Sequence, residues 1–284
     1  MRAQALLPRL RSGERVAVTY FLYLAVLAWM RNLGLAPGLA LVAIPLIIWG
    51  AAEFEAAHSA PWTRVTRDWL TLGLILVGYW SVGWFAAPPM AALQEQWLQW
   101  DHTVLATWGL RAIVEFAGPL IPSVLEILYM LLYALPCAGL CAVYWVGGRD
   151  RVHAYLFTLM LGTFSVYALL PLIPIHGPHV AYPLADLPGA PGFGRTWNVW
   201  VLDHFDIPTS VFPSGHVAVA FSTALGLLRA VREHRKIWGT VFGIAVLVYV
   251  ATIYCRYHYV VDGLASIGIA SAAYGITNWR SDEA

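Results

Sequence analysis

Long apolar runs dominate the chain, and a run of about 20 apolar residues is what a helix needs to cross the hydrocarbon of a bilayer. Such runs fall at approximately 16–35, 37–56, 68–87, 122–146, 152–174, 214–231, 237–255 and 259–277. Eight helical spans are therefore expected, the second interrupted by Pro45 and the sixth short. Two longer connections, roughly 88–121 and 175–213, break the series. The first contains QEQWLQWDHTVLATWGLRAIVEF, whose Trp and Leu residues recur at helical spacing and predict one amphipathic helix in the membrane interface. The second, IHGPHVAYPLADLPGAPGFGRTW, is dense in Gly and Pro and is expected to be irregular. Neither a repeat nor a low-complexity tract nor a soluble domain is visible.

The basic residues test the count independently. Arg2, Arg9, Arg11 and Arg15 precede the first run; Arg64 and Arg67 lie between the second and third; Arg149 and Arg151 between the fourth and fifth; Arg232, Arg235 and Lys236 between the sixth and seventh; Arg280 follows the eighth. With eight spans all of these fall on one side, which the positive-inside rule makes the cytoplasm, with both termini there. The first run is long enough to span and lacks a small-residue cleavage site, so it reads as a first transmembrane helix and not as a signal peptide. Composition agrees with a membrane protein: 60% of the residues are hydrophobic and 12% charged, too few to cover a soluble globule. A net charge of +1 points to neither nucleic acid nor an acidic partner. Of three cysteines, Cys137 and Cys141 lie one turn apart in an apolar run, where packing is the expected role, and no metal-type Cys/His spacing occurs.

Ionisable groups are costly in such a chain, and two stretches concentrate them: FPSGHVAVAFSTA from Phe212 and CRYHYVVDGLAS from Cys255. Ser214, Gly215 and His216 open the sixth run; His258 and Asp262 open the eighth. One span down and another back place both sets on the same, extracytoplasmic face. Pro213 suits a first helical turn, and the free N–H groups after it, with side-chain-free Gly215, suit an anion such as phosphate. His258 and Asp262, spaced i, i+4, are expected on one helix face. A carboxylate on one imidazole nitrogen leaves the other as nucleophile or base. Two histidines, a carboxylate and an anion cradle suffice for phosphoryl transfer. Asp101–His102 is a further candidate pair in the first long connection.

PSGH at 213–216 followed by HxxxD at 258–262 resembles the type 2 phosphatidic acid phosphatase superfamily, which includes lipid phosphate phosphatases, glucose-6-phosphatase and undecaprenyl pyrophosphate phosphatases. The resemblance covers roughly 68–284. It implies an all-α six-helix catalytic core, here 67–284, preceded by a two-helix addition at 1–66. It also implies that His258 attacks phosphorus, Asp262 orients it, His216 protonates the leaving alcohol, and Ser214 with the Gly215 backbone holds phosphate oxygens. No cofactor or metal is expected; the expected partner is a lipid phosphate in the membrane.

The chain departs from that pattern twice. Ala251 and Thr252 stand where the third motif usually carries Ser-Arg, and the first motif, K-x6-R-P, is absent. Substitutes for the missing phosphate clamp are Arg256, His176, His179 and Arg195, although an unbroken helix would put Arg256 nearly opposite His258. The H-Y-x-x-D form without an upstream arginine is similar to the branch holding sphingomyelin and inositol phosphorylceramide synthases. The alternatives are thus a phosphoalcohol transferase between lipids, a non-catalytic lipid-phosphate binder or transporter, and a zinc site of His216, His258 and Asp262. The absence of an internal targeting signal beyond the helices fits a bacterial plasma membrane, and the topology suits a luminal-facing eukaryotic membrane equally well.

Overall fold

The structure, a computed structural model, describes residues 9–58, 60–184, 186–207 and 211–279; Arg2 and Arg280 of the basic clusters lie outside the described residues. All regular structure among these residues is helical. In chain order come α1 (Ser12–Met30), α2 (Leu35–Ala57), α3 (Pro61–Val82), α4 (Ala91–His102), α5 (Leu110–Glu115), α6 (Leu120–Leu131), α7 (Leu135–Ala142), α8 (Val152–Leu169), α9 (Pro178–Ala181), α10 (Arg195–Phe205), α11 (Gly215–Ala230), α12 (Arg235–Tyr254) and α13 (Val260–Trp279). Helical turns join α6 to α7 and extend α7, so that Leu120–Gly147 forms one long apolar stretch.

Helices stand at all eight expected positions, and five stretches are long and apolar enough to cross a membrane: Leu35–Ala57, Leu120–Gly147, Arg149–Leu172, Arg235–Tyr254 and Val260–Trp279. The other three differ for identifiable reasons. Charged residues lie in the buried faces of α1 (Glu14) and α3 (Arg67, Asp68), and α11 has only 16 residues. Helix α2 passes through Pro45 without a break.

Helix α11 is the centre of the bundle. It packs against α8, α12 and α13, and almost every residue in it is buried. Small residues permit that crowding: a Cβ on Gly162 of α8 would collide with Ser222 of α11. Helix α1 packs on α8 as well as on α2, and Tyr20 stacks on Phe164 with centroids 4.5 Å apart. Phe21 and Phe164 thus share one hydrophobic core.

One end of the bundle holds a buried ionic cluster. Arg67 donates to Glu14 and Glu55, Arg11 pairs with Glu55 and Asp68, and Arg149 and Tyr144 also reach Asp68. Close by in sequence, Arg151 donates to the Ala230 carbonyl in the last turn of α11 at 3.3 Å. His216 lies in the first turn of the same helix. The arginines and the histidine therefore mark opposite ends of a 16-residue helix, about 24 Å long at 1.5 Å per residue.

Three local expectations need correction. The connection at 88–121 is two helices, because after a π-helical turn Gly109 adopts φ +77° and redirects the chain into α5; a residue with a Cβ resists that conformation. The connection at 175–213 contains the 11-residue α10. Its Gly and Pro residues stop at Gly194, and none recurs until Pro208, which leaves Arg195–Phe205 free to be helical. Pro213 stands outside the first turn of α11, since Ser214 is the N-cap and the helix begins at Gly215.

Candidate active site

The two histidine segments meet. Nδ1 of His216 lies 3.1 Å from Nε2 of His258, and Nδ1 of His258 lies 3.3 Å from Oδ2 of Asp262. The contact with Asp262 is not across a helix face, because α13 begins at Val260 and His258 sits in the loop before it. The backbone makes the pairing instead: Asp262 Oδ2 also accepts the Tyr259 N–H at 2.9 Å, and the Ser214 N–H donates to the Asp262 carbonyl at 3.1 Å. That last bond ties one motif directly to the other. Ser266 Oγ adds a bridge to the Ser214 carbonyl at 2.8 Å.

On its other nitrogen, His216 Nε2 faces the hydroxyls of Tyr129 at 3.2 Å and Tyr133 at 3.1 Å. One proton assignment satisfies the whole row. The tyrosines donate to Nε2 of His216, His216 donates from Nδ1 to Nε2 of His258, and His258 donates from Nδ1 to Asp262. Nε2 of His258 then carries a lone pair, the state a nucleophile needs. Burial pushes the His258 imidazole down to about 4, against the opposing pull of the Asp206 carboxylate, so it stays neutral near pH 7.

A cavity of about 10 Å³ lies at this meeting point, lined by Gly215, His216, His258, His179, Asp206 and Tyr79 among others. It has room for about one water, so any larger group needs its walls to move. A second, apolar cavity of about 270 Å³ shares Tyr79, Gly215 and His216 with it. Its walls include Trp69, Leu72, Leu76, Leu132 and Cys137, and exposed Trp69 and Leu76 carry it to the outer surface of α3.

The remaining sequence candidates are placed differently from one another. His179 lines the small cavity, with Nδ1 buried and unpartnered; burial, His258 and Arg195 together push it down to about 4. Ser214 Oγ is used as the α11 cap, accepting from Val217 N at 3.2 Å. The N–H groups of Gly215 and His216 lie in the first turn, where no intrahelical acceptor exists. His176 is not among the lining residues, and its N–H donates to Gln94 at 2.7 Å. Arg195 lies over the Tyr257 ring at 4.9 Å and pairs with buried Glu126 at 3.5 Å. Arg256 is 1% exposed, faces Asp101 at 2.6 Å and is not among the residues that line the cavity. His102, by contrast, is exposed and meets Asp186.

Sequence reasoning missed Asp206, Tyr79, Tyr129 and Tyr133. Asp206 Oδ1 accepts from the Tyr79 hydroxyl and the Ile207 N–H, and burial pushes its carboxyl up. The i, i+4 spacing of Tyr129 and Tyr133 in an apolar run was the one available signal, and it names no partner. Among the described residues no group of three or more His, Cys, Asp or Glu is arranged to hold a metal ion. His216 and His258 face each other at hydrogen-bond distance instead of converging on a common point.

No curated protein and no solved structure matches the chain. A family model does, over residues 95–276. The match begins inside α4, leaves α1–α3 outside, and takes in the row from Tyr129 to Asp262. On that match the chain belongs to the PAP2, or type 2 phosphatidic acid phosphatase, superfamily.

Proposed function

We propose that the protein is an integral membrane enzyme hydrolysing a phosphate monoester or pyrophosphate of a lipid at the extracytoplasmic face, through a phosphohistidine on His258. The observation that carries this reading is the row Asp262–His258–His216, with His258 Nε2 turned toward His216 and a small cavity beside both. Membership of the superfamily supports phosphatase-type chemistry on lipid phosphates in general. The facing of the site is argued from the basic clusters between the spans: Arg151 of one of them reaches the last turn of α11, the end opposite His216, and eight spans with those clusters in the cytoplasm put His216 and His258 outside.

In the first half-reaction the phosphate monoanion of the lipid gives its proton to His216, Nε2 of His258 attacks phosphorus, the P–O bond to the lipid breaks, and the leaving oxygen takes the proton back from the His216 imidazolium. Water then attacks the phosphohistidine, giving its proton to His216 as the N–P bond breaks and free phosphate leaves. Gly215 and His216 supply backbone N–H groups and the positive end of the α11 dipole to the phosphate oxygens. His179 adds a hydrogen-bond donor when the phosphate draws a proton onto it. The apolar cavity at His216 suits the lipid chain, which would reach it from the bilayer past Trp69 and Leu76.

That same cavity favours a second reading, transfer to another lipid. The larger opening toward His216 is apolar, so an alcohol arriving from the bilayer competes well with water for the phosphohistidine.

The test is phosphate release by the purified protein from phosphatidate, lysophosphatidate and polyprenyl (pyro)phosphates with EDTA present, beside His258→Ala. Release that survives EDTA and vanishes in the variant is the expected result. Folded protein that releases phosphate from none of them, yet moves phosphate between paired donor and acceptor lipids, establishes the transferase. Retention of full turnover by His258→Ala would sink both readings.

A further inference from the structure

Helix α4 touches the segments that lead into His179 and His216 and the loop that carries His258. Gln94, Trp97 and Asp101, spaced i, i+3 and i+7, form its buried face. Gln94 Oε1 accepts the His176 N–H at 2.7 Å. The Trp97 ring packs on Phe212, two residues before Ser214, at 4.8 Å and on Tyr259, next to His258, at 5.8 Å. Asp101, which is fully buried, grips the His258 loop on both flanks: Oδ2 accepts from Arg256 Nη1 at 2.6 Å and Oδ1 from the Val260 N–H at 2.8 Å.

The loop between those flanks needs holding. Arg256 adopts φ +66°, a left-handed conformation that L side chains resist. Its carbonyl accepts the His179 N–H at 3.0 Å, so the turn that presents His258 also seats His179. From this we infer that Trp97 and Asp101 of α4 are positioning residues that fix His216 and His258 in register. On this account Arg256 is the partner of Asp101 and not the phosphate ligand that takes the place of the missing clamp. The inference rests on the reading of His258 as the reacting residue, and it assigns to an interfacial helix the task of aligning two transmembrane helix starts. A displacement of about 1 Å in such a pair costs on the order of 100-fold in rate.

The test uses the full chain in detergent, with Asp101→Asn, Arg256→Gln and the double variant. Two readouts are taken: the rate at which diethyl pyrocarbonate modifies His258, read by peptide mass spectrometry, and the kinetics of phosphate release from phosphatidate with orthovanadate as inhibitor. Each single variant is expected to modify His258 about tenfold faster and to lose about tenfold or more in kcat, with KM and vanadate inhibition within about twofold. The double variant is expected to match the singles, since the two residues act as one unit. Trp97→Leu, which unpairs no charge, should raise the modification rates of both His216 and His258.

A His258 modification rate unchanged in all these variants overturns the inference. So does an Arg256→Gln protein with KM and vanadate inhibition weakened more than about tenfold while Asp101→Asn is normal, because that is the pattern of a phosphate ligand. If wild-type protein releases no phosphate but the modification rates change as expected, the phosphatase reading falls and the positioning role stands.

Discussion

Two buried polar networks sit at opposite ends of the bundle, and they are built differently. At the arginine end, Glu14, Arg67 and Asp68 are buried, and each carboxylate meets at least one guanidinium. At the histidine end the row consists of phenols and imidazoles ending in a single carboxylate. Polar atoms are left over there: His179 Nδ1, Asp262 Oδ1, Tyr259 Oη and Arg256 Nε and Nη2 are buried without partners, whereas none of the carboxylate or guanidinium atoms of Glu14, Arg67 and Asp68 is. Buried polar groups are normally satisfied. A network closed on itself holds helices together; at the other end one of the leftover atoms, His179 Nδ1, belongs to a residue that lines the cavity and can meet a ligand there.

The sharpest way to separate them is to remove one group from each. His258→Ala is expected to lower turnover by roughly 10⁴-fold or more, while melting in detergent falls only modestly, because buried Asp262 keeps the Tyr259 N–H as a partner. Arg67→Met should do the reverse. It leaves Glu14 buried without its guanidinium, which costs about 3–5 kcal/mol, seen as a lower melting temperature, while the folded fraction keeps kcat/KM within about twofold. If Arg67→Met instead abolished turnover in protein of normal melting temperature, the division between a structural end and a reactive end would be wrong.

How much of this was legible in the sequence follows the same divide. The helices could be read from apolar run length, and the convergence of His216 with His258 from counting spans, because both depend on local pattern and topology. Asp262 was legible too, although its contact comes from a loop residue meeting the first turn of α13. The partner of Arg256 was not, since Asp101 lies 155 residues away in a segment whose aromatic residues suggested only an interfacial helix. Tyr79 and Asp206 meet across 127 residues, and nothing near either one signals the other. Loop reading also failed at α10, where Gly and Pro upstream obscured a stretch that contains neither.

A smaller effect concerns the tyrosines. Tyr133→Phe removes one of two donors to His216 Nε2, a neutral hydrogen bond worth about 0.5–1.5 kcal/mol, and should reduce kcat by roughly tenfold at most. Loss well beyond that, with normal folding, would make Tyr133 a participant in proton transfer and extend the reactive row by one residue.

The last effect is on the pH dependence of stability, and it too should tell the ends apart. His258 and His179 are held down to about 4 in the folded protein, whereas a free histidine titrates near 6.5. Between those values the unfolded chain binds more protons than the folded one, so acid favours unfolding. The stabilising contribution of the neutral rings is fully present above about pH 6.5 and is lost as pH falls toward 4. The charges around His179 are the His258 ring, Arg195 and Asp203; those around His258 include Asp206. Melting temperature measured from pH 7.5 to 4.5 should therefore decline, and His179→Asn should flatten the decline without changing the plateau above pH 7 by much. A decline of the same depth in the variant would mean that His179 is already protonated in the folded site, which would make it a standing cation for phosphate instead of one recruited on binding.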